Sequence, residues 1–363
     1  MTEEVKSENN IKTKIMKKML LFAAFCCGVL STYADNPMID GSSYFLPKTA
    51  LRFTLLVEKT TYKPGEFSQY AERYLKKPVP NEEQKTYRIL SIKMTPCGIA
   101  DTTKIFKANI DTKHNISSIY KNDNGVLLAV NDRPNVVAAE APFKAAPKPA
   151  RRNPYDYLSQ EILSAGNKSK MAELTAEEIY DIRDSRSQIT KGQAENMPTD
   201  GQQMRLMLNN LNTQEAALVS LFNGTEDIDT IEAIVNYVPE KPVERELLFR
   251  FSKYYGCVDK EDLSGSPYYI DIYDEHNVPS NSATVGKGEK NKNDSGIWVN
   301  LPGKMTVNLY QGEKLLDSYE TYSAQFGRTE PLMGELFSKK METKVRLSPV
   351  TGNVESINTE LKK

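Results

Sequence analysis

The chain has 363 residues, 39% hydrophobic and 26% charged, with 47 Lys and Arg against 48 Asp and Glu and a formal net charge of −1. That balance excludes collagen, coiled coil and wholesale disorder, and leaves no global field to draw nucleic acid or an anionic membrane to the surface. Two histidines, His114 and His276, and four cysteines give little stock for the commonest metal and acid–base chemistry.

Residues 16–34, MKKMLLFAAFCCGVLSTYA, place Lys17 and Lys18 before an apolar run from Met19 to Leu30, then small residues ending at Ala34. This is the layout of a secretory signal peptide cut before Asp35, so residues 1–34 are assigned to it, with Met16 as an alternative start. An apolar helix of that length rises only about 18 Å, short of the roughly 30 Å hydrocarbon core, so a permanent anchor is the weaker reading. Lipidation at Cys26 or Cys27 is disfavoured by the bulky Phe25 and by the apolar run that continues past both. Cleavage leaves 42 basic and 45 acidic residues, no later apolar stretch long enough to span a bilayer, and two cysteines, Cys97 and Cys257. Those two thiols either pair or stay separate and half-buried; separate thiols are favoured, because nothing in the sequence fixes their distance.

Leu51, Phe53, Leu55 and Val57 alternate, the period of a strand with one buried face. Pro64-Gly65 predicts a turn. Phe67, Tyr70, Ala71, Tyr74 and Leu75 follow at helical spacing and predict a short amphipathic helix laid on the sheet. Leu90/Ile92/Met94 and Phe106/Ala108/Ile110 alternate again, and Asn124-Gly125 signals a hairpin into Val126–Val130. Residues 138–154 are rich in Ala and Pro, without periodicity, and read as a semi-rigid linker.

The middle of the chain is helical. Thr175 with Glu178 has the spacing of a capping box ahead of Ile179, Ile182 and Ile189. Thr199 with Gln202 opens a second helix, whose stripe of Met204, Met207, Leu208, Leu211, Leu218, Leu221 and Phe222 ends at Gly224. From Thr230 the strands return: Ile231/Ala233/Val235/Tyr237, Leu247/Phe249/Phe251, Tyr268/Ile270/Ile272 and Met305/Val307/Leu309. Turn residues punctuate them at Ser264-Gly265, Pro302-Gly303, Gln311-Gly312 and Thr351-Gly352, and residues 279–295 are polar and aperiodic, the pattern of a surface loop.

The predicted fold is α+β, mostly β: two antiparallel β-sandwich or partly open barrel domains with a helical hairpin segment between them. The predicted division is an N-terminal β domain with one short helix (35–137), the linker (138–154), and a helical hairpin (155–224) packed on a C-terminal β domain (225–363).

Several strings carry a family resemblance. They include Tyr44-Phe45-Leu46-Pro47-Lys48-Thr49, Tyr62-Lys63-Pro64-Gly65, Leu221-Phe222-Asn223-Gly224, Phe249-Arg250-Phe251-Ser252 and Ala324-Gln325-Phe326-Gly327. On these the chain resembles the uncharacterised exported proteins of Bacteroidetes grouped as a domain of unknown function. The resemblance implies export from a Gram-negative cell and this architecture, and brings no catalytic residue with it.

Motifs for strong chemistry are missing from the sequence. There is no phosphate-binding G-x-x-x-x-G-K-[ST], no G-x-S-x-G elbow and no H-E-x-x-H. Ser118-Ile119-Tyr120-Lys121 matches S-x-x-K without the companion motifs of that enzyme class. The best local ligand cluster is Asp271, Asp274, Glu275 and His276, which could converge on Ca²⁺ or Zn²⁺ at a strand end; the competing reading is a solvated acidic turn. Arg250, between Phe249 and Phe251, should point away from the core, where it could hold a carboxylate or stack on a ring. Tyr268, Tyr269 and Tyr273 share one strand and, with Arg250 and Trp298, form the candidate ligand or partner surface.

No cofactor is expected. The expected function is a non-catalytic binding or assembly component, exported to the periplasm or cell envelope, with an envelope protein or glycan as partner and no nucleic acid. The competing expectation is an envelope glycan hydrolase using a pair of carboxylates.

Overall fold

The structure, a computed structural model, describes residues 43–108, 114–135, 141, 143–145, 147–148, 150–195, 197, 200–279 and 294–362. The expected 16–34 signal peptide, Ile110, Thr199 and most of residues 279–295 lie outside the described residues. The fold is α+β and mostly β.

Strand β1 (Ser43–Tyr44) pairs with β4 (Phe106–Lys107). A three-stranded antiparallel sheet has the order β3-β2-β7, formed by β2 (Pro47–Lys63), β3 (Gln84–Ala100) and β7 (Thr225–Tyr237). A five-stranded sheet has the order β12-β11-β10-β8-β9. Its members are β8 (Val243–Ser252), β9 (Gly256–Val258), β10 (Ser266–Asp274), β11 (Asp294–Gln311) and β12 (Lys314–Met333). A four-stranded sheet, β14-β13-β6-β5, joins β5 (Ile119–Lys121) and β6 (Leu127–Val130) to β13 (Met341–Leu347) and β14 (Val354–Leu361).

The alternation read from the sequence marks the buried faces well. Leu51, Phe53, Leu55 and Val57 face Ile270, Ile272, Met305, Val307 and Leu309 across the first core, formed between the three- and five-stranded sheets. Each such side chain removed from water contributes about 1.5–3 kcal/mol. Ile297 and Val299, at the other end of the same β11, enter a second core with Tyr44, Leu127, Val130, Phe337 and Val345.

In β7 the expected inward residue Ile231 is exposed without any bulge, and in β3 a bulge displaces the alternation. Val57 pairs with Ile89 while Leu56 pairs with Ser91, so Leu90 is the extra residue and its side chain lies exposed. Pro302-Gly303 makes no chain reversal: it lies inside β11, which bends there and runs on.

The partition at 137/154 is not followed by the strand pairing. N-terminal β2 pairs with β7, from beyond the linker, from Leu51 to Lys63, and β6 pairs with β13. Part of the 138–154 segment is held against β7: Arg151 bonds Asp227 at 2.9 Å, Lys148 pairs with Asp229, and the Phe143 N–H donates to Glu232.

The helices are α1 (Ala71–Leu75), α2 (Gln160–Leu163), α3 (Lys168–Lys191) and α4 (Gly201–Asn223). The Thr175/Glu178 capping box does not form. Helix α3 starts earlier, with the Asn167 side chain accepting from the Lys170 N–H, and Thr175 is buried mid-helix with its hydroxyl donating to the Met171 carbonyl. Asp200 caps α4 by accepting from the Gln202 and Gln203 amides.

Leu211, Leu218, Leu221 and Phe222 of α4 close on Ala172, Ala176, Ile179 and Ile182 of α3 and on Phe67 and Ala71, making a third core that includes no strand of the C-terminal sheets. Met204, Met207 and Leu208, from the start of the expected stripe, stay outside it, and Met207 is exposed. The short helix after Phe67 therefore packs on the hairpin rather than on a sheet. Glu215 of α4 accepts from Arg183 at 2.7 Å and pairs with Arg186, both on α3. Burial pushes the Glu215 carboxyl up, and the two guanidiniums outweigh it and hold it below its usual range.

Candidate functional site

Alternation along β10 turns Tyr268, Ile270 and Ile272 into the first core and Tyr269, Asp271 and Tyr273 to the opposite face of the five-stranded sheet. On that outer face Tyr269 is the direct cross-strand neighbour of Tyr310 on β11. Strand β8 is bulged opposite Asp271: Ile270 pairs with Glu246 and Ile272 with Val243, leaving Glu244 and Arg245 against one residue. Arg245 sits at φ 52°, a left-handed conformation that costs a side-chain-bearing residue about 1–2 kcal/mol.

That conformation delivers Arg245 to the tyrosines. Its guanidinium lies over the Tyr269 ring at 4.8 Å and over the Tyr310 ring at 4.9 Å, a double cation–π contact. Its Nη2 donates to the Gly312 carbonyl at 2.6 Å and to Glu313 at 3.0 Å, and its backbone N–H donates to Asp271 Oδ1 at 2.6 Å. Asp271 is buried and also accepts from the Tyr273 hydroxyl at 3.2 Å. Burial and the Asp271 carboxylate push the Tyr273 and Tyr310 phenols up, so both stay protonated donors at neutral pH. Tyr273 and, on β12, Tyr322 and Leu315 are exposed on the same face.

The profile of a family described as "Domain of unknown function (DUF4831)" matches residues 40–355. The chain belongs to that family. No curated protein and no solved structure matches it.

Of the residues singled out from the sequence, Tyr269, Tyr273 and Asp271 come together with Arg245 and Tyr310, which that reading missed. Nothing local marks Arg245, because its position depends on a bulge defined by the partner strand. Tyr310 sits beside the recognised Gln311-Gly312 turn, but that turn folds β12 back on β11, so it gave no signal that Tyr310 would lie beside Tyr269 of β10.

The remaining candidates go elsewhere. Tyr268 is a core residue, stacked on Phe249 with ring centroids 4.5 Å apart. Trp298 is half-buried against Phe106 at 5.9 Å, on the second core. Arg250 does point away from the core, but its Nε donates to the Lys260 carbonyl at 2.7 Å and its Nη1 to the Gly265 carbonyl at 3.1 Å. It pins the loop between β9 and β10.

The proposed ligand cluster is dispersed by its own hydrogen bonds. Asp274 accepts from the His276 N–H at 2.9 Å, and its Oδ2 lies 3.1 Å from His276 Nδ1. Glu275 accepts from Thr306 at 2.7 Å, and Asp271 faces Arg245. Among the described residues no group of three or more His, Cys, Asp or Glu side chains is placed to hold a metal ion. Cys97 and Cys257 are not joined in a disulfide, and burial pushes Cys257 up to about 11.

A polar recess lies at the bend of β11 and β12. Asp101 is the single carboxyl among the residues that line it.

Proposed function

We propose that this protein is a non-catalytic binding or assembly component of the cell envelope, exported by its 16–34 leader, whose partner meets the outer face of the five-stranded sheet. The observation that carries the reading is the Arg245 guanidinium held between Tyr269 and Tyr310 on an open face that also exposes Tyr273, Tyr322 and Leu315. Tyrosine and arginine supply large contact area with a polar tip and are the residues that most often anchor protein interfaces. Here the arginine is positioned in advance by the Gly312 carbonyl and the two rings, which reduces the entropy lost on binding.

The site holds no activated nucleophile: Asp271 is spent on a backbone amide and a phenol. The hydrolase alternative needs two carboxyls roughly 5–10 Å apart across a sugar, and the recess at the bend offers one.

Crosslinking in native envelopes, followed by mass spectrometry, tests the proposal. The wild-type chain should capture a specific partner that the Tyr269→Ala/Tyr310→Ala double variant loses. Recovery of no specific partner, together with sugar release from isolated cell walls, would overturn it.

A further inference from the structure

The recess at the bend of β11 and β12 is built from three separate parts of the chain: the start of β2, the loop between β3 and β4, and the bend itself. Its volume is about 260 Å³, the share of liquid occupied by about nine waters.

Buried polar groups hold the walls in place. Asn300 donates its side-chain amide to the Pro47 and Thr351 carbonyls at 3.1 and 2.9 Å. Asp101 Oδ1 accepts from both the amide and the hydroxyl of Thr103, at 3.2 and 2.6 Å, which fixes the turn that carries Lys104.

The charge of the lining is cationic. Lys48, Lys104 and Arg328 border the recess against Asp101 alone. Arg328 is paired outside it with Glu330 at 2.5 Å. The Lys48 ammonium stands 3.6 Å from Asp101, too far for a hydrogen bond, so its donors are not spent on that carboxylate. Counting Glu330, three cations face two carboxylates, an excess of one positive charge. One further anionic group would be matched.

The hydroxyls specify more. The Thr103 hydroxyl donates to Asp101 and the Thr329 hydroxyl donates to the Asn300 side-chain carbonyl at 3.2 Å. A hydroxyl whose proton is committed offers only lone pairs, which accept from ligand O–H groups. Phe106 adds an aromatic wall against which the face of a sugar ring can lie.

We propose that this recess binds a small hydroxylated carboxylate of the sugar-acid class, its carboxylate between Lys48 and Lys104 and its hydroxyls on Thr103 and Thr329. The site is separate from the tyrosine face and stands or falls independently of it.

Calorimetric titration of the purified chain with sodium glucuronate, glucose and inorganic phosphate tests the assignment. Glucuronate should bind with a Kd below about 1 mM, and glucose, which lacks the charge, at least about tenfold more weakly. Lys48→Gln or Lys104→Gln should weaken glucuronate by about tenfold or more, the loss of one charge-assisted hydrogen bond. Lys104 is exposed, so its variant should keep the fold even if the Lys48 variant does not. No binding of glucuronate at about 10 mM would overturn the proposal. So would phosphate binding as tightly as glucuronate, or an unchanged affinity in both folded lysine variants.

Discussion

Arg245 combines an unfavourable backbone conformation with several favourable side-chain contacts, and the two can be separated by substitution. Ala at this position keeps the Cβ and its clash at φ 52° while losing both ring contacts and the bond to Gly312. Gly loses the same contacts but relieves the clash, partly offset by its greater freedom in the unfolded chain. Two exposed cation–π contacts at about 0.5 kcal/mol each and one charged hydrogen bond at about 1.5 kcal/mol set the loss for Arg245→Ala at roughly 2–3 kcal/mol. Arg245→Gly should lose up to about 1 kcal/mol less, read as a smaller drop in the urea midpoint. A Gly variant no more stable than the Ala variant would show that the strain relieved at 245 does not exceed the cost of glycine's freedom in the unfolded chain. The tyrosine face was half legible at this scale. Period-2 alternation separates Tyr269 and Tyr273 from Tyr268, as the structure has it, but Arg245 reaches the rings only through a displacement of β8 that its own sequence does not mark.

At the scale of elements, the bend of β11 and β12 joins the two β cores. Leu301 pairs with Arg328 and Gly303 with Ser323, so the four residues Ala324–Gly327 lie opposite Pro302 alone. The looped-out segment is used: the Gln325 side chain accepts from the Thr49 N–H at 2.9 Å and donates to its carbonyl at 2.8 Å. Thr49 lies beyond the end of β7, whose last pair is Tyr237 with Leu51, so the Gln325 amide stands in for a missing neighbour strand. Close backbone approach makes the bend possible, since a Cβ at Gly327 would lie 1.8 Å from the Leu301 carbonyl oxygen. Gly327→Ala should therefore cost roughly 2–4 kcal/mol. Gly201→Ala, in open space at the start of α4, should be neutral or stabilising by up to about 1 kcal/mol. Thermal melts of the two variants check this, and equal effects would refute the steric account. From the sequence Pro302-Gly303 reads as a chain reversal, because the same residue types serve turns and strand bends alike.

For the whole molecule, the consequence of these pairings is mechanical continuity. Strand β11 places Met305, Val307 and Leu309 in the first core and Ile297 and Val299 in the second, and β2 is bonded to β7 from the far side of the linker. Two cores threaded by one strand should unfold together. Leu309→Ala in the first core and Leu347→Ala in the second should each cost about 2–5 kcal/mol and lower the midpoint of one shared transition. Urea unfolding followed by near-ultraviolet circular dichroism decides the matter. Two transitions, each moved by one variant only, would instead show two independently folding β units.

The sequence by itself determined the class of the fold, the buried face of most strands, the hairpin turns at Asn124-Gly125 and Gln311-Gly312, and the C-terminal part of the stripe by which α4 meets α3. These features follow from periods of 2 and 3.6 and from the backbone freedom of glycine, which act between residues close along the chain. Tertiary structure alone decided which strands became neighbours, that β2 and β7 pair across the linker, and that bulges in β3, β8 and β12 reset the alternation. Pairing register is fixed by contacts between segments tens to hundreds of residues apart, and a one-residue bulge turns side chains to the other face while leaving the composition of the strand unchanged. For that reason Tyr269 and Tyr273 could be found in the sequence, and Tyr310 and the arginine it shares with Tyr269 could not.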